Sequence, residues 1–127
     1  MKNILIVDNS PAIEDIVSSI QERSSFRVTV ARSVEGAIKA CLATRYDLIL
    51  LDMDMSRAEG IRLISHLRET MSDHLTPIIV LTADSQNGYR RDALEKGACR
   101  YLAKPFEAEV LMEAIEGIIG YIAHFRD

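Results

Sequence analysis

The chain has 127 residues, close to the commonest size of a single domain and enough to bury one continuous core. Its net charge of −4, with no basic block, argues against binding nucleic acid through the phosphates. No apolar stretch approaches the roughly twenty residues that a bilayer span needs. Met1-Lys2-Asn3 leads into a strand pattern rather than a secretory signal, and Cys41 and Cys99 lack metal or redox spacing. These features together imply a cytoplasmic chain with free thiols. His66, His74 and His124 are scattered and read as ordinary helix or surface histidines.

In chain order, the apolar run 4–7 predicts a first strand, followed by Asp8 and Asn9. Pro11 fits the first turn of a helix capped by Asn9 or Ser10, with Ile13, Ile16, Val17 and Ile20 as its apolar stripe. Run 28–30 is short and flanked by Arg27 and Arg32, which predicts an edge strand. Val34, Ala37, Ile38 and Cys41 mark a second helix. Run 48–51 predicts a third strand, entering the sequence LILLDMDMS. Ile61, Ile64, Leu67 and Met71 give a third helix, and Pro77 opens a fourth strand over 78–81. A short polar helix over 87–96 carries Ala93 and Leu94 and stops at Gly97. A fifth strand around 101–102 is blocked by Pro105. Leu111, Ala114, Ile115, Ile118 and Ile122 form the final and strongest stripe, widened by Ile119 and Tyr121.

Four-residue apolar runs suit strands covered on both faces, and strict alternation with helices predicts one α/β domain with a parallel sheet. In such sheets the ligand site forms beyond the carboxyl ends of the strands. Asp8 and Asn9, Asp52 and Asp54, Thr82, and Lys104 all fall there. Taken singly, these residues suit helix caps, strand ends and solvated lysines. Their joint occurrence at four strand ends points to phosphoryl capture. Carboxylates bind a hard cation, one carboxylate acts as nucleophile, and a hydroxyl and an ammonium neutralise the transferred group.

The segments ILIVDN, DLILLDMDMSRAEG, PIIVLTA and YLAKPF, in this order and spacing, resemble a response-regulator receiver domain of two-component signalling. The resemblance covers residues 1–127 as a single receiver domain with no effector domain following. It implies a flavodoxin-like, doubly wound five-stranded parallel sheet of order 2-1-3-4-5 with five helices. It implies that Asp52 is phosphorylated, and that Asp8, Asn9, Asp52 and the backbone carbonyl of Asp54 bind Mg²⁺. Thr82 and Lys104 would hold the phosphoryl group, and Tyr101 would change rotamer on activation. Pro105 would follow a cis bond, and Gly60 would serve the loop after the acceptor. A histidine kinase or phosphotransfer protein would supply the phosphoryl group. The surface of the fourth helix, fifth strand and fifth helix would then control an effector or output domain, without turnover of small substrates.

The chain also departs from the family pattern. Asn9 stands where a second acid is usual, which lowers the expected Mg²⁺ affinity. Asp54 is expected to restore part of that charge, and Asp54 and Asp84 to modulate phosphate lifetime. Ser56 replaces a usual proline and frees the loop. Two alternatives remain open: an interaction module that signals without phosphate, and a phosphohydrolase of the DxDx type using Asp52 and Asp54 as nucleophile and acid/base. The wide apolar face of the last helix, with Tyr121, suggests a homodimer or partner interface.

Overall fold

Strands and helices alternate five times in the computed structural model, which describes residues 2–54, 57–69, 76–83 and 87–126. They are β1 (Asn3–Val7), α1 (Ile13–Arg23), β2 (Arg27–Ala31), α2 (Val34–Ala43), β3 (Leu48–Asp52), α3 (Arg57–Glu69), β4 (Ile78–Thr82), α4 (Asn87–Lys96), β5 (Arg100–Ala103) and α5 (Ala108–Arg126). The expectations for Ser56, Met71, His74 and Asp84, and for the side chains of Ile122 and His124, lie outside the described residues.

The sheet runs β2-β1-β3-β4-β5 with every pairing parallel, the flavodoxin-like order that the resemblance implies. β2 occupies an edge, as its short, arginine-flanked run predicts. Side chains alternate across the sheet with period two. Leu5, Val7, Ile49, Leu51, Ile78 and Val80 pack with Val34, Ala37, Leu63, Ile64, Leu67 and Ala93. Ile4, Ile6, Leu48, Leu50, Ile79 and Leu81 pack on the opposite face with Ile13, Ile20, Leu111, Ala114 and Ile115. β3 and β4 are buried at every position, because helices cover both faces. Each fully buried leucine or isoleucine contributes roughly 1.5–3 kcal/mol, so this double layer is the principal brace of the strand ends.

Several local expectations shift. Pro11 lies in the turn before α1, whose first residue is Ile13 and whose cap, Ala12, makes no side-chain hydrogen bond. The loop is held instead by Asp8, whose Oδ1 accepts from the Ser10 amide at 2.8 Å. In α3 the fully buried residues include Leu63, whereas Ile61 is only half-buried. Ile61 still packs against the same core cluster, and Gly60 lies in the first turn of the helix rather than in a loop. A Cβ on Gly60 would overlap the Met53 sulfur, so glycine is there to admit the side chain between the two acids of LDMDM. Leu94 is 40% exposed, leaving Ala93 as the buried apolar residue among the described side chains of α4, and Met112 joins the core beside Leu111.

Gly97 ends α4 with φ +125°, and the amide of Ala98 reaches back to the Ala93 carbonyl at 2.9 Å. Arg68, at the end of α3, donates from Nε and Nη2 to the Gly97 carbonyl at 3.2 and 2.9 Å.

Candidate functional site

Backbone bonds carry the sheet ladder one residue past the strands and fix where the site residues begin. The Asp8 amide donates to the Ala31 carbonyl at 3.0 Å, Met53 to Leu81 at 2.9 Å, and Lys104 to Thr82 at 2.9 Å. Register places Asp52 opposite Leu81 and Thr82 opposite Ala103. Asp8, Asp52, Thr82 and Lys104 are thereby gathered at one end of the sheet, as their strand-end positions predict. The Lys104–Pro105 peptide is cis, as the resemblance implies.

Asp52 is 3% exposed, and its Oδ1 accepts from the Lys104 ammonium and from the Asp54 amide, both at 2.9 Å. Both of these bonds fall on Oδ1, while the Asp8 carboxyl lies close enough to Asp52 to act on its ionisation. Asp8 is fully buried, with Oδ1 on the Ser10 amide and Oδ2 without a hydrogen-bond partner. Asp54 turns its carboxylate the other way. Oδ1 accepts from the Thr82 hydroxyl at 2.7 Å, Oδ2 from the Ala83 amide at 2.9 Å, and Oδ2 lies 3.3 Å from Lys104 Nζ.

These contacts divide the charges unequally. Burial, with the nearby Asp8 carboxylate, pushes Asp52 above the ordinary carboxylate value despite Lys104 and the Asp54 amide. Asp54 is held below that value: partial burial opposes its ionisation, but Thr82, the Ala83 amide and Lys104 outweigh it. Lys104 is pushed up, since Asp52 and Asp54 overcome the effect of its own burial.

The set suits a hard divalent cation. Two carboxylates from adjacent strands face each other, and a buried, unpartnered Asp8 oxygen is costly unless it has a ligand. Among the described residues no three acids, histidines or cysteines gather as a metal cluster. That is what Asn9 in place of a second acid leaves: two carboxylates, to be completed by neutral oxygens.

Sequence order brings together Asp8, Asp52, Thr82 and Lys104. Tyr101 is half-buried and packs against the core cluster on the α2–α4 side of the sheet. Two contributors were not legible. The Ala83 amide carries no side-chain signal, and its place directly after Thr82 is the only clue. The direction of the Asp54 carboxylate depends on the turn at Met53 and Asp54, which no spacing rule encodes. Beside the site, a depression of about 380 Å³ opens between Ser10, Ile16, Ala83, Lys104 and Phe106.

The chain belongs to the response regulator receiver domain family, whose model matches residues 4–116. It is 37% identical over 119 residues to the transcriptional regulatory protein CpxR of Escherichia coli (strain K12), covering 94% of this chain and 50% of that one. It is 35% identical over 117 residues to Protein PetR of Rhodobacter capsulatus, covering 92% and 48%. The chain thus spans about half the length of the curated relatives it matches. Among solved structures, a chemotaxis response regulator, CheY4 of Vibrio cholerae, superposes with a TM-score of 0.83 at 25% identity, covering 93% of this chain and 98% of that one. The receiver domain of a sensor histidine kinase from Pseudomonas aeruginosa PAO1, solved with a magnesium ion in its active-site cleft, superposes at 0.82 with 29% identity, covering 94% and 98%.

Proposed function

We propose that this chain is a phosphorylation-dependent signalling switch whose acceptor is Asp52. The observation that carries this is the Lys104–Asp52 ion pair set beside the unpartnered, buried Asp8 oxygen at the carboxyl end of the sheet. The donor is the phosphohistidine of a sensor kinase or phosphotransfer protein, approaching over the depression by Ser10, Lys104 and Phe106. An Asp52 carboxylate oxygen attacks phosphorus, the phosphorus–nitrogen bond of the donor breaks, and the imidazole leaves with the electron pair. Lys104 neutralises charge on the transferred group, and Thr82 Oγ1 and the Ala83 amide, bonded to Asp54 in this structure, are the donors placed to receive its oxygens. Asp8, Asp52 and the Asp54 backbone carbonyl would hold Mg²⁺, with Asn9 a neutral and weaker contributor. When bound, the cation supplies charge neutralisation for phosphoryl oxygens.

Family membership removes the ground for a DxDx phosphohydrolase. The chain takes part in its own modification without turning over a small substrate. The added charge biases a surface comprising α4, β5 and α5, including Tyr101, toward an effector or output domain. α5 exposes Tyr121 at 67% and Val110 at 43%, a face that supports a homodimer or partner contact. A cytoplasmic setting follows from the donor, and among the described residues no helix is long and apolar enough to cross a membrane. Acetyl phosphate, or beryllofluoride with Mg²⁺, provides the test. A mass gain that is lost in Asp52→Asn, with shifted amide resonances, is expected. Neither modification nor spectral response would sink the proposal.

A further inference from the structure

The Asp54 carboxylate engages the Thr82 hydroxyl at 2.7 Å, the Ala83 amide at 2.9 Å and Lys104 Nζ at 3.3 Å. Those three groups are the only donors assigned above to the incoming phosphoryl oxygens. Asp54 is two residues past the acceptor, and its own amide donates to Asp52 Oδ1 at 2.9 Å, so the turn that braces the acceptor also aims the carboxylate. We infer that Asp54 is a tethered anion seated in the phosphoryl cradle, which must be displaced before the cradle can take a phosphoryl group.

The chemistry of the contacts supports competition. A carboxylate and a phosphoryl oxygen accept the same charge-assisted hydrogen bonds, and one hydroxyl proton and one amide proton cannot serve both. Lys104 is shared already, reaching Asp52 at 2.9 Å and Asp54 at 3.3 Å. Two anions on the same side of Asp52 also repel across a partly dehydrated site. Displacement leaves Asp54 with water as its alternative, because its side chain is 31% exposed. The tether therefore lowers affinity for the phosphoryl group without blocking it. The same occupation keeps Thr82 bonded toward the site in the absence of phosphate.

This inference rests on the Asp52 acceptor reading, and one experiment separates the two. Wild type, Asp54→Ala and Asp54→Asn are titrated with beryllofluoride at saturating Mg²⁺ for each protein, followed by amide resonances. Phosphorylation rates from acetyl phosphate are measured in parallel. Losing the one carboxylate that competes for two hydrogen bonds and for Lys104 predicts half-saturation at about tenfold lower beryllofluoride in Asp54→Ala, with a smaller gain in Asp54→Asn, whose amide oxygen is still an acceptor. The Ala83 amide resonance should shift in both variants before any beryllofluoride is added. Equal or weaker beryllofluoride binding by Asp54→Ala, with wild type responding normally, overturns the tethered-anion inference alone. No response in any of the three proteins overturns the acceptor reading and the inference with it. Cooperative urea unfolding and native-like amide dispersion confirm that the variants are folded.

Discussion

Replacing Lys104 by methionine keeps the length of the side chain and deletes its charge. The structure then leaves Asp52, 3% exposed, and Asp54, 31% exposed, without their shared cation, and Asp8 remains buried beside them. Stripping one partner from a fully buried pair costs about 3–5 kcal/mol, whereas an exposed pair is worth about 0–1 kcal/mol. Lys104 is 24% exposed, so water screens part of the interaction, and about 2–3 kcal/mol is the expected loss at neutral pH. At about 2.1 cal/mol/K of unfolding entropy per residue, a chain of this length should melt about 7–11 °C lower. The pH dependence has a definite sign. Asp54 is held below the ordinary carboxylate value, so its contribution is present above that value and fades as pH falls through the lowered one. Asp52 lies above the ordinary value, so its ionisation costs stability as pH rises through the raised one, and more so without Lys104. Both effects make the gap between the two proteins widest at neutral pH: it begins to narrow as pH falls through the raised Asp52 value and narrows further as Asp54 protonates below the ordinary one. Thermal and urea unfolding across that range, at low salt and without Mg²⁺, provides the assay. A variant as stable as wild type at neutral pH, or a gap that widens in acid, would refute the reasoning.

Two glycine substitutions should move stability in opposite directions. Gly97→Ala forces a Cβ to within 2.8 Å of Arg68 at φ +125° and should cost about 2 kcal/mol or more, while Gly117→Ala meets nothing within 4 Å and should gain about 0.5–1 kcal/mol. Urea midpoints that shift the same way for both would contradict this. Asp8→Ala removes the unpartnered buried oxygen, so Mg²⁺ affinity by calorimetry should fall about tenfold or more, and Mg²⁺ should no longer raise the melting temperature. Retained affinity would show that Asp8 is no ligand. Ser33→Ala deletes the cap that accepts from Gly36 at 3.0 Å and should cost about 0.5–2 kcal/mol in chemical denaturation, with phosphorylation unaffected.

Periodicity carried the fold. Runs of four apolar residues specify strands buried on both faces, and the stripes at Ile13–Ile20 and Leu111–Ile115 specify the faces that cover them. The same logic placed Ile61, Ile64 and Leu67 of α3 against the core but passed over Leu63, which is buried beside them. It also put Pro11 inside α1, since proline is as much at home in a preceding turn as in a first helical turn. At the site, Asp52 and Lys104 were legible because strand ends in a parallel sheet have one destination. The aim of Asp54 was not, because it is set by backbone donors at Ala83 and by a short turn, and neither leaves a mark in side-chain chemistry.

The double hydrogen bond from Arg68 to the Gly97 carbonyl fastens the close of α3 to the close of α4, just ahead of β5. A helix held at one end is a lever, and here the fulcrum is Gly97. Ten residues of α4 span roughly 15 Å, so a tilt of about ten degrees carries the far end roughly 2.6 Å while the pinned end hardly moves. The pinned end sits directly before a strand already locked in the sheet, since Arg100 at the start of β5 is in register with Ile79.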